Sequence, residues 1–215
     1  MRSPASDPGF ADHRIHGYEA QLSLIRQAVK RCRSTAGIAV DVGAHIGIWS
    51  VELSRHFERV HAFEPVSENF DCLFENVARL PVTVHPWAVG AQDGFCDMHL
   101  CPQANSGMWR IGTISSTIGE HSQPVTALTR VRTLDSYQFR DVGLIKIDTE
   151  GYEGQVIKGA ECTIDESRPV IVFEDNGLGP KTYGADWVEP KPLLLRHGYR
   201  QAFRVRKDEV WVPSL

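Results

Sequence analysis

The apolar positions of the chain alternate between the spacing of helices and the short runs of buried strands. Over 18–32, apolar side chains recur at steps of four and three, which predicts one buried face of a helix. The apolar run 38–42 predicts a strand, and the glycine-rich turn 41–47 leads from it into a second helix. The residues on the two apolar helix faces are Tyr18, Leu22, Ile25, Val29 and Cys32, then Ile46, Trp49, Leu53 and Phe57.

The same alternation continues along the chain. Residues 59–65 predict a second strand, which ends on Glu64 and is stopped by Pro65. Ser67 is placed to cap the next helix, with Glu68 in its first turn. The apolar face of that helix would carry Phe70, Leu73, Phe74, Val77 and Leu80, and residues 82–89 predict a third strand with its exit loop.

The middle of the chain has a different composition. Residues 94–101 and 126–131 predict two β segments, and 103–119 is rich in Gly, Ser and Thr. Loops of this length inside a compact domain usually have a function or are disordered, and the sequence does not separate the two. As a functional segment, 103–125 would be an active-site loop, with Trp109 stacking on a ring of the substrate.

The C-terminal part returns to strands and helices. Strands are predicted at 143–148 and 169–175, with helices near 155–158 and 193–197; strands at 199–205 and 209–212 then form a hairpin joined at 206–208. Alternating strands and helices indicate an α/β fold with a mostly parallel sheet covered by helices on both faces. The final hairpin adds an antiparallel edge.

Length and charge narrow the function classes. The 215 residues suit one domain, 1–215, with residues 1–15 expected to be flexible. The net charge of −4 argues against a partner bound through its phosphates, so no nucleic acid is expected. No apolar run is long enough for a membrane span, and the first residues do not have the pattern of a secretory signal. The five cysteines have no zinc or disulfide spacing, which favours reduced thiols and a cytoplasmic location.

The turn 41–47 is where a ligand is expected, because open α/β sheets bind ligands at the carboxyl ends of their strands. His45 stands where a dinucleotide-binding turn needs a glycine, and the Lys of a phosphate-binding loop is missing. Glu64 follows the turn by about twenty residues, where an acid can accept both ribose hydroxyls. Asp41 can organise the ammonium group of an amino-acid ligand. These features suit a cationic nucleoside such as S-adenosylmethionine.

Several motifs in order resemble the FkbM family of class I methyltransferases. They are D-V-G-A-H-I-G at 41–47, V-H-A-F-E-P at 60–65, A-V-G at 88–90, T-L-D-S-Y at 133–137, L-I-K-I-D-T-E-G-Y-E at 144–153, K-G-A at 158–160, and the strand ending at Phe173 and Glu174. The segment 144–160 is the most specific of them.

The resemblance implies a Rossmann-like class I methyltransferase fold, with a seven-stranded sheet and S-adenosylmethionine as cofactor, leaving S-adenosylhomocysteine as product. It also implies O-methylation of a small molecule or a sugar, ribose contacts at Glu64, and adenine beside 87–89. The candidate cofactor-binding residues are Asp41, Gly43, Ala44, His45, Gly47, Glu64, Pro65, Trp87, Ala88 and Asp148.

Methyl transfer to a hydroxyl requires alignment of the two reactants and a group that takes the proton. Asp148 and Glu150, at the end of the strand 143–148, are the candidate catalytic acids, and the sequence does not assign their individual roles. Lys146 is the third candidate; it shares a strand face with Asp148 and can pair with it. His45 and His85 are alternative bases. A divalent cation held by Asp148, Glu150, Glu174 and Asp175 is a further alternative that the sequence does not predict.

Three other functions compete with this interpretation. A nucleic-acid methyltransferase needs an Asn/Asp-Pro-Pro-Tyr/Phe or a Pro-Cys turn, but the chain has Asp148-Thr-Glu-Gly at the first position and Cys101-Pro102 in the reverse order. A nicotinamide dehydrogenase is disfavoured by His45. A non-catalytic binding module with the same fold stays open.

Overall fold

The computed structural model describes residues 1–3, 16–100, 109–115 and 127–214. Two short 3₁₀ helices, Asp135–Tyr137 and Gly184–Asp186, lie among the α-helices and strands. In chain order the α-helices and strands are α1 (His16–Val29), β1 (Ile38–Val42), α2 (Ile48–Leu53), β2 (Arg59–Phe63), α3 (Ser67–Val77), β3 (Val82–His85), β4 (Ala88–Val89), β5 (Gly94–Leu100), β6 (Trp109–Ser115), β7 (Ala127–Arg132), β8 (Val142–Ile147), α4 (Glu153–Lys158), α5 (Glu161–Ser167), β9 (Val170–Glu174), α6 (Gly179–Tyr183), α7 (Pro190–Arg196), β10 (Tyr199–Val205) and β11 (Asp208–Pro213).

The main sheet has seven strands in the order β10-β11-β9-β8-β1-β2-β3. The five strands from β9 to β3 are parallel, whereas β11 runs antiparallel to both β9 and β10. This confirms the predicted Rossmann-like class I architecture with an antiparallel hairpin at one edge. The order reverses direction at β1 and β8, which places the carboxyl ends of these two strands at the centre of the sheet.

Alternate strand residues separate the core into two layers. Val40 and Ile145 pack into a cluster with residues of α4, α5 and α7. Their neighbours Ala39 and Leu144 pack into a second cluster with α1 and α2. Because side chains alternate along a strand, continuous apolar runs such as 38–42 bury both faces at once.

A second, smaller sheet was not predicted. Its order is β4-β7-β5-β6, and it adjoins the end of β3 through β4. The run 82–89 is therefore two strands rather than one, divided at Pro86 and Trp87. Residues 109–115 form β6 paired with β5, so the prediction of a continuous loop over 103–125 was wrong for this part. Its remaining residues, like residues 4–15, lie outside the described residues.

Two details of the helices differ from the sequence patterns. Ser67 is the first residue of α3 rather than its cap, since Val66 holds the cap position and no side chain caps the helix. Phe74 is 56% exposed on the outer side of α3, where it stacks on Phe70 with 6.4 Å between ring centroids. The apolar face of α3 that the helical spacing predicted is therefore slightly wider than the face that is buried.

None of the helices in the described ranges combines the length and the apolarity that crossing a bilayer requires. The cysteines within those ranges are free thiols.

Two glycines of the segment 144–160 are fixed by close backbone packing. A Cβ at Gly154 would lie 1.8 Å from the carbonyl oxygen of Val188, and one at Gly159 would lie 1.9 Å from that of Gly90. The second contact brings the end of α4 against the loop after β4. These glycines therefore allow α4 to pack closely against the loop before α7 and against the loop after β4.

We expect Gly159→Ala to lower the free energy of unfolding by about 2–3 kcal/mol, because the methyl group has no space. Gly177→Ala is the control: its φ is +70° and its Cβ would meet nothing within 4 Å, so only the backbone cost of about 1 kcal/mol applies. Urea unfolding of both variants measures the difference. Equal losses would contradict the close contact.

Candidate active site

The turn after β1 packs directly on the exit of β8. Gly43 and Gly47 have φ angles of +71° and +93°, and a Cβ at Gly43 would lie 1.8 Å from the carbonyl oxygen of Asp148. The amide of Asp148 in turn donates to Val42 O at 3.0 Å. Glycine is therefore required at 43 both by its left-handed backbone and by the contact. The predicted cofactor turn and the predicted catalytic acids are neighbours.

Glu64 closes the other side of this turn from the end of β2. Its carboxylate accepts hydrogen bonds from the amides of His45 at 2.8 Å and Val66 at 3.0 Å. Asn69 donates to the same carboxylate at 3.4 Å. Burial raises the pKa of Glu64 to about 7, although these hydrogen bonds oppose the shift. The acid predicted to bind ribose is held beside the turn, with the half-buried Pro65 following it.

Lys146 and Asp41 form a buried ion pair between β8 and β1. Lys146 Nζ lies 3.2 Å from Asp41 Oδ1 and donates to Gly43 O at 2.8 Å. The other oxygen of Asp41 accepts a hydrogen bond from Ser50 Oγ at 2.6 Å. Burial lowers the pKa of Lys146, but Asp41 and Asp148 outweigh it and the net pKa is raised. Asp41 is wholly buried, so its carboxylate positions Lys146 and the turn.

The motif T-E-G-Y-E forms a tight turn around one buried acid. The carboxylate of Glu153 accepts hydrogen bonds from the amides of Thr149 and Gly151, both at 3.0 Å, and from Thr149 Oγ1 at 3.2 Å. Burial raises the pKa of Glu153 to about 7 against these bonds. Glu150 has a φ of +55° within this turn. Glu153 thus shapes the loop that carries Asp148 and Glu150.

Three of the four acids considered for a cation do come together. Asp148, Glu150 and Glu174 each offer an oxygen within 4.8 Å of the others, a set that could hold a hard cation. Asp175 is not among them, since it pairs with Lys191 at 2.8 Å. Burial and the nearby Asp148 raise the pKa of Glu174. The Asp148 side chain is 44% exposed and 3.8 Å from Lys146, so it faces the open side of the site.

The remaining candidates surround the turn. Ala44 is buried, and His45 is half-buried with a φ of +51°. Trp87 and Ala88 lie at the junction of the two sheets, where the Arg130 guanidinium sits 5.6 Å from the Trp87 ring centroid.

His85 belongs to an aromatic cluster. It stacks on Phe63 with 4.4 Å between centroids, and its Nε2 lies 3.0 Å from His61 Nδ1. Burial and His61 lower the pKa of His85 to about 4. This packing accounts for His85 without a role in proton transfer.

Sequence reasoning did not single out Ser50, Asn69 or Asn176, and it gave no role to Glu153. Ser50 and Asn69 lie inside helices and contact the site acids Asp41 and Glu64. Asn176 donates to Glu174 at 2.6 Å and to Glu150 at 3.2 Å. Only Glu153 had a signal, its place in the specific segment 144–160. The others become visible once the strands are paired.

A family profile and a named relative each match most of the chain. The sequence profile described as Methyltransferase FkbM domain matches residues 41–200. The hexuronic acid methyltransferase AglP of Haloferax volcanii is 28% identical over 170 residues, which are 78% of this chain and 68% of AglP.

Two crystal structures share the fold. That of methyltransferase FkbM from Methylobacillus flagellatus has a TM-score of 0.53 at 22% identity; the match covers 83% of this chain and 43% of the other, so this chain spans less than half of that protein's length. The structure of precorrin-8W decarboxylase from Methanobacterium thermoautotrophicum has a TM-score of 0.55 at 14% identity, over 100% of this chain and 97% of the other.

The buried pair Lys146–Asp41 should be sensitive to the loss of one partner. We expect Lys146→Met to lower the free energy of unfolding by about 3–5 kcal/mol, because Asp41 is left buried without its cation. The double variant Lys146→Met with Asp41→Asn should be more stable than Lys146→Met alone. Chemical denaturation of the three proteins tests this, and a double variant no more stable than the single one would argue against the pair.

The raised pKa of Glu64 gives a signed pH dependence of stability. Below the unfolded-state pKa of about 4.5, Glu64 is protonated in both the folded and the unfolded protein, so its burial carries no charge penalty. As the pH rises to about 7, the unfolded state releases this proton more readily than the folded state, and the free energy of unfolding falls by up to about 3 kcal/mol. The stability of the parent protein relative to Glu64→Gln should therefore fall between pH 5 and pH 8. The exposed Glu58→Gln is the control, because it removes a glutamate at the surface and leaves Glu64 in place. A difference that grows with pH would refute the assignment.

Proposed function

The chain belongs to the FkbM family of class I methyltransferases, which use S-adenosylmethionine as methyl donor, and we propose that it methylates a hydroxyl group of a sugar or a related secondary metabolite. The observation that carries this proposal is the meeting of two elements at one edge of the sheet. The turn 41–47, closed by Glu64, adjoins the loop that presents Asp148 and Glu150. The proposed donor site and the proposed proton acceptors would therefore be neighbours.

The residues around the turn fit the cofactor. When bound, S-adenosylmethionine supplies a methyl group activated by its sulfonium. Glu64, as a carboxylate, would accept the ribose hydroxyls with the oxygen lone pairs left over from the amides of His45 and Val66. Trp87 and Ala88 would border the adenine. The side chain at 45 stands where a dinucleotide would need bare backbone, which supports a nucleoside ligand without a pyrophosphate.

Proton removal is assigned to Asp148 or Glu150. An acceptor hydroxyl is a weak acid, so a carboxylate at hydrogen-bond distance assists its reaction. Asp148 is exposed to the site and follows Lys146 by two residues. Glu150 is held by Asn176 in the next loop. Lys146 keeps Asp148 and the turn in register, which makes it a positioning group in this scheme.

A sugar is the favoured class of acceptor. The relative AglP carries the name hexuronic acid methyltransferase, and its match covers most of this chain. The carboxylates grouped at the open end of the sheet are acceptors that suit hydroxyl-bearing ligands.

Isothermal titration calorimetry with S-adenosylmethionine, S-adenosylhomocysteine and NADH, with and without Mg²⁺, tests the donor site. We expect saturable binding of the first two ligands and none of NADH. Glu64→Ala should weaken binding by about 1–3 kcal/mol, as a charged hydrogen-bonding partner is lost, and Glu58→Ala should not. NADH binding, or no binding of either sulfur ligand, would refute the proposal. A screen of sugar acceptors for S-adenosylhomocysteine release then tests turnover.

The two candidate bases can be separated. If Asp148 takes the proton, Asp148→Asn should lower kcat by about 10²–10⁴-fold and leave the affinity for S-adenosylhomocysteine nearly unchanged, while Glu150→Gln has a smaller effect. If Glu150 is the base, the order reverses. Steady-state kinetics on the acceptor found in the screen, paired with calorimetry, make the comparison. Parallel losses of binding and turnover in both variants would exclude a base role for either residue.

A further inference from the structure

A cavity of about 280 Å³ opens between α1 and the turn of the terminal hairpin. Its walls come from Ala20, Gln21 and Leu24 on one side and from the turn 205–208 on the other, with Glu174 at the end of β9 between them. The volume is near the lower end of the ~300–1,000 Å³ typical of small-molecule sites. It has room for one small ring.

The cavity adjoins the candidate active site through Glu174. This carboxylate lines the cavity and also lies within 4.8 Å of oxygens of Asp148 and Glu150. Asp208, at the start of β11, also lines the cavity and is the register partner of Glu174 between β11 and β9. A molecule in the cavity would therefore lie next to the loop that packs on the cofactor turn.

The opposite side of Glu174 does not offer comparable room. The pocket there, beside Trp187 and Pro190, has about 20 Å³, which is about one water molecule. Of these two cavities around Glu174, only the one beside α1 can take a ring.

The lining suits a ring with hydroxyl groups. Ala20, Leu24 and Val205 provide an apolar surface for C–H groups. Glu174 and Asp208 provide carboxylates, which accept hydrogen bonds when ionised and so need donors on the ligand. Burial raises the pKa of Asp208 to about 6, and the nearby Asp148 adds to this shift.

The charges of the lining disfavour an anionic ligand. Glu174 and Asp208 are partly buried within the cavity, whereas Arg206 and Lys207 on the turn are exposed. Solvent screens the exposed cations more than the enclosed carboxylates. A carboxylate on the ligand would meet the carboxylates of Glu174 and Asp208, which line the cavity.

We propose that this cavity is the acceptor subsite and that it takes an uncharged, polyhydroxylated ring, with Glu174 and Asp208 as the residues that select it. The proposal rests on the proposed function, because it assigns the acceptor to a side of the same donor site. It differs from the substrate named for AglP, which is a hexuronic acid.

Saturation-transfer NMR on the full chain with saturating S-adenosylhomocysteine tests the subsite. The probes are methyl β-glucopyranoside, which is uncharged, and glucuronate, which is an anion. Ala20→Trp fills the cavity from the half-buried face of α1, and Gln27→Trp places the same side chain on an exposed part of α1. We expect transfer to the glucoside, its loss in Ala20→Trp and its retention in Gln27→Trp. Asp208→Asn should weaken binding about tenfold.

Calorimetry with S-adenosylhomocysteine on each variant separates the two proposals. If the variants bind it normally but the glucoside shows no transfer, or transfer survives Ala20→Trp, the subsite is wrong and the donor site stands. Stronger binding of glucuronate would overturn the charge selection. Failure of the parent protein to bind S-adenosylhomocysteine would refute the proposed function instead.

Discussion

The buried ammonium of Lys146 holds together the two strands from which the site is built. It reaches from β8 to Asp41 on β1 and to the carbonyl oxygen of Gly43 in the turn. A lysine this deeply buried is stable only with partners that satisfy its charge and its donors. Asp41 and Gly43 O satisfy them, and Ser50 engages the second oxygen of Asp41. The shape of the turn and the position of Asp148 both depend on this set.

Close backbone contact then determines where glycine must stand. The turn after β1 meets the exit of β8 at Gly43, and α4 ends against the loop after β4 at Gly159. Gly151 has a φ of +103° and would bring a Cβ within 2.7 Å of the amide nitrogen of Gly179. Several glycines of the family motifs are thus explained by loops that pack backbone against backbone, with no space for a side chain between them. Glu153 completes the arrangement by satisfying the amides of its own turn.

The carboxyl edge of the sheet concentrates acidic side chains, with different surroundings for each. Glu64 and Glu153 are buried and hydrogen-bonded by amides, and their pKa values are raised to about 7. Asp148 is exposed beside Lys146, while Glu174 and Asp208 are partly buried on the side of α1. Burial disfavours the charged form of a carboxyl group, whereas hydrogen bonds from amides favour it. Acids at the same edge of the sheet therefore differ in pKa and in their capacity to accept hydrogen bonds.

The sequence by itself determined the main sheet, its helical layers and the place of the candidate site. Apolar runs and helical spacing reflect burial, and glycines with acids at strand ends reflect the turns, so β1, Glu64 and the segment 144–160 could be recognised. The tertiary structure alone decided the second sheet, the strand β6 within an expected loop, and the contacts of Ser50, Asn69 and Asn176. These depend on which distant residues meet, and a local pattern contains no information on that. Asp41 and Asp175 illustrate the same limit: their roles follow from Lys146 and Lys191, which only folding brings within reach.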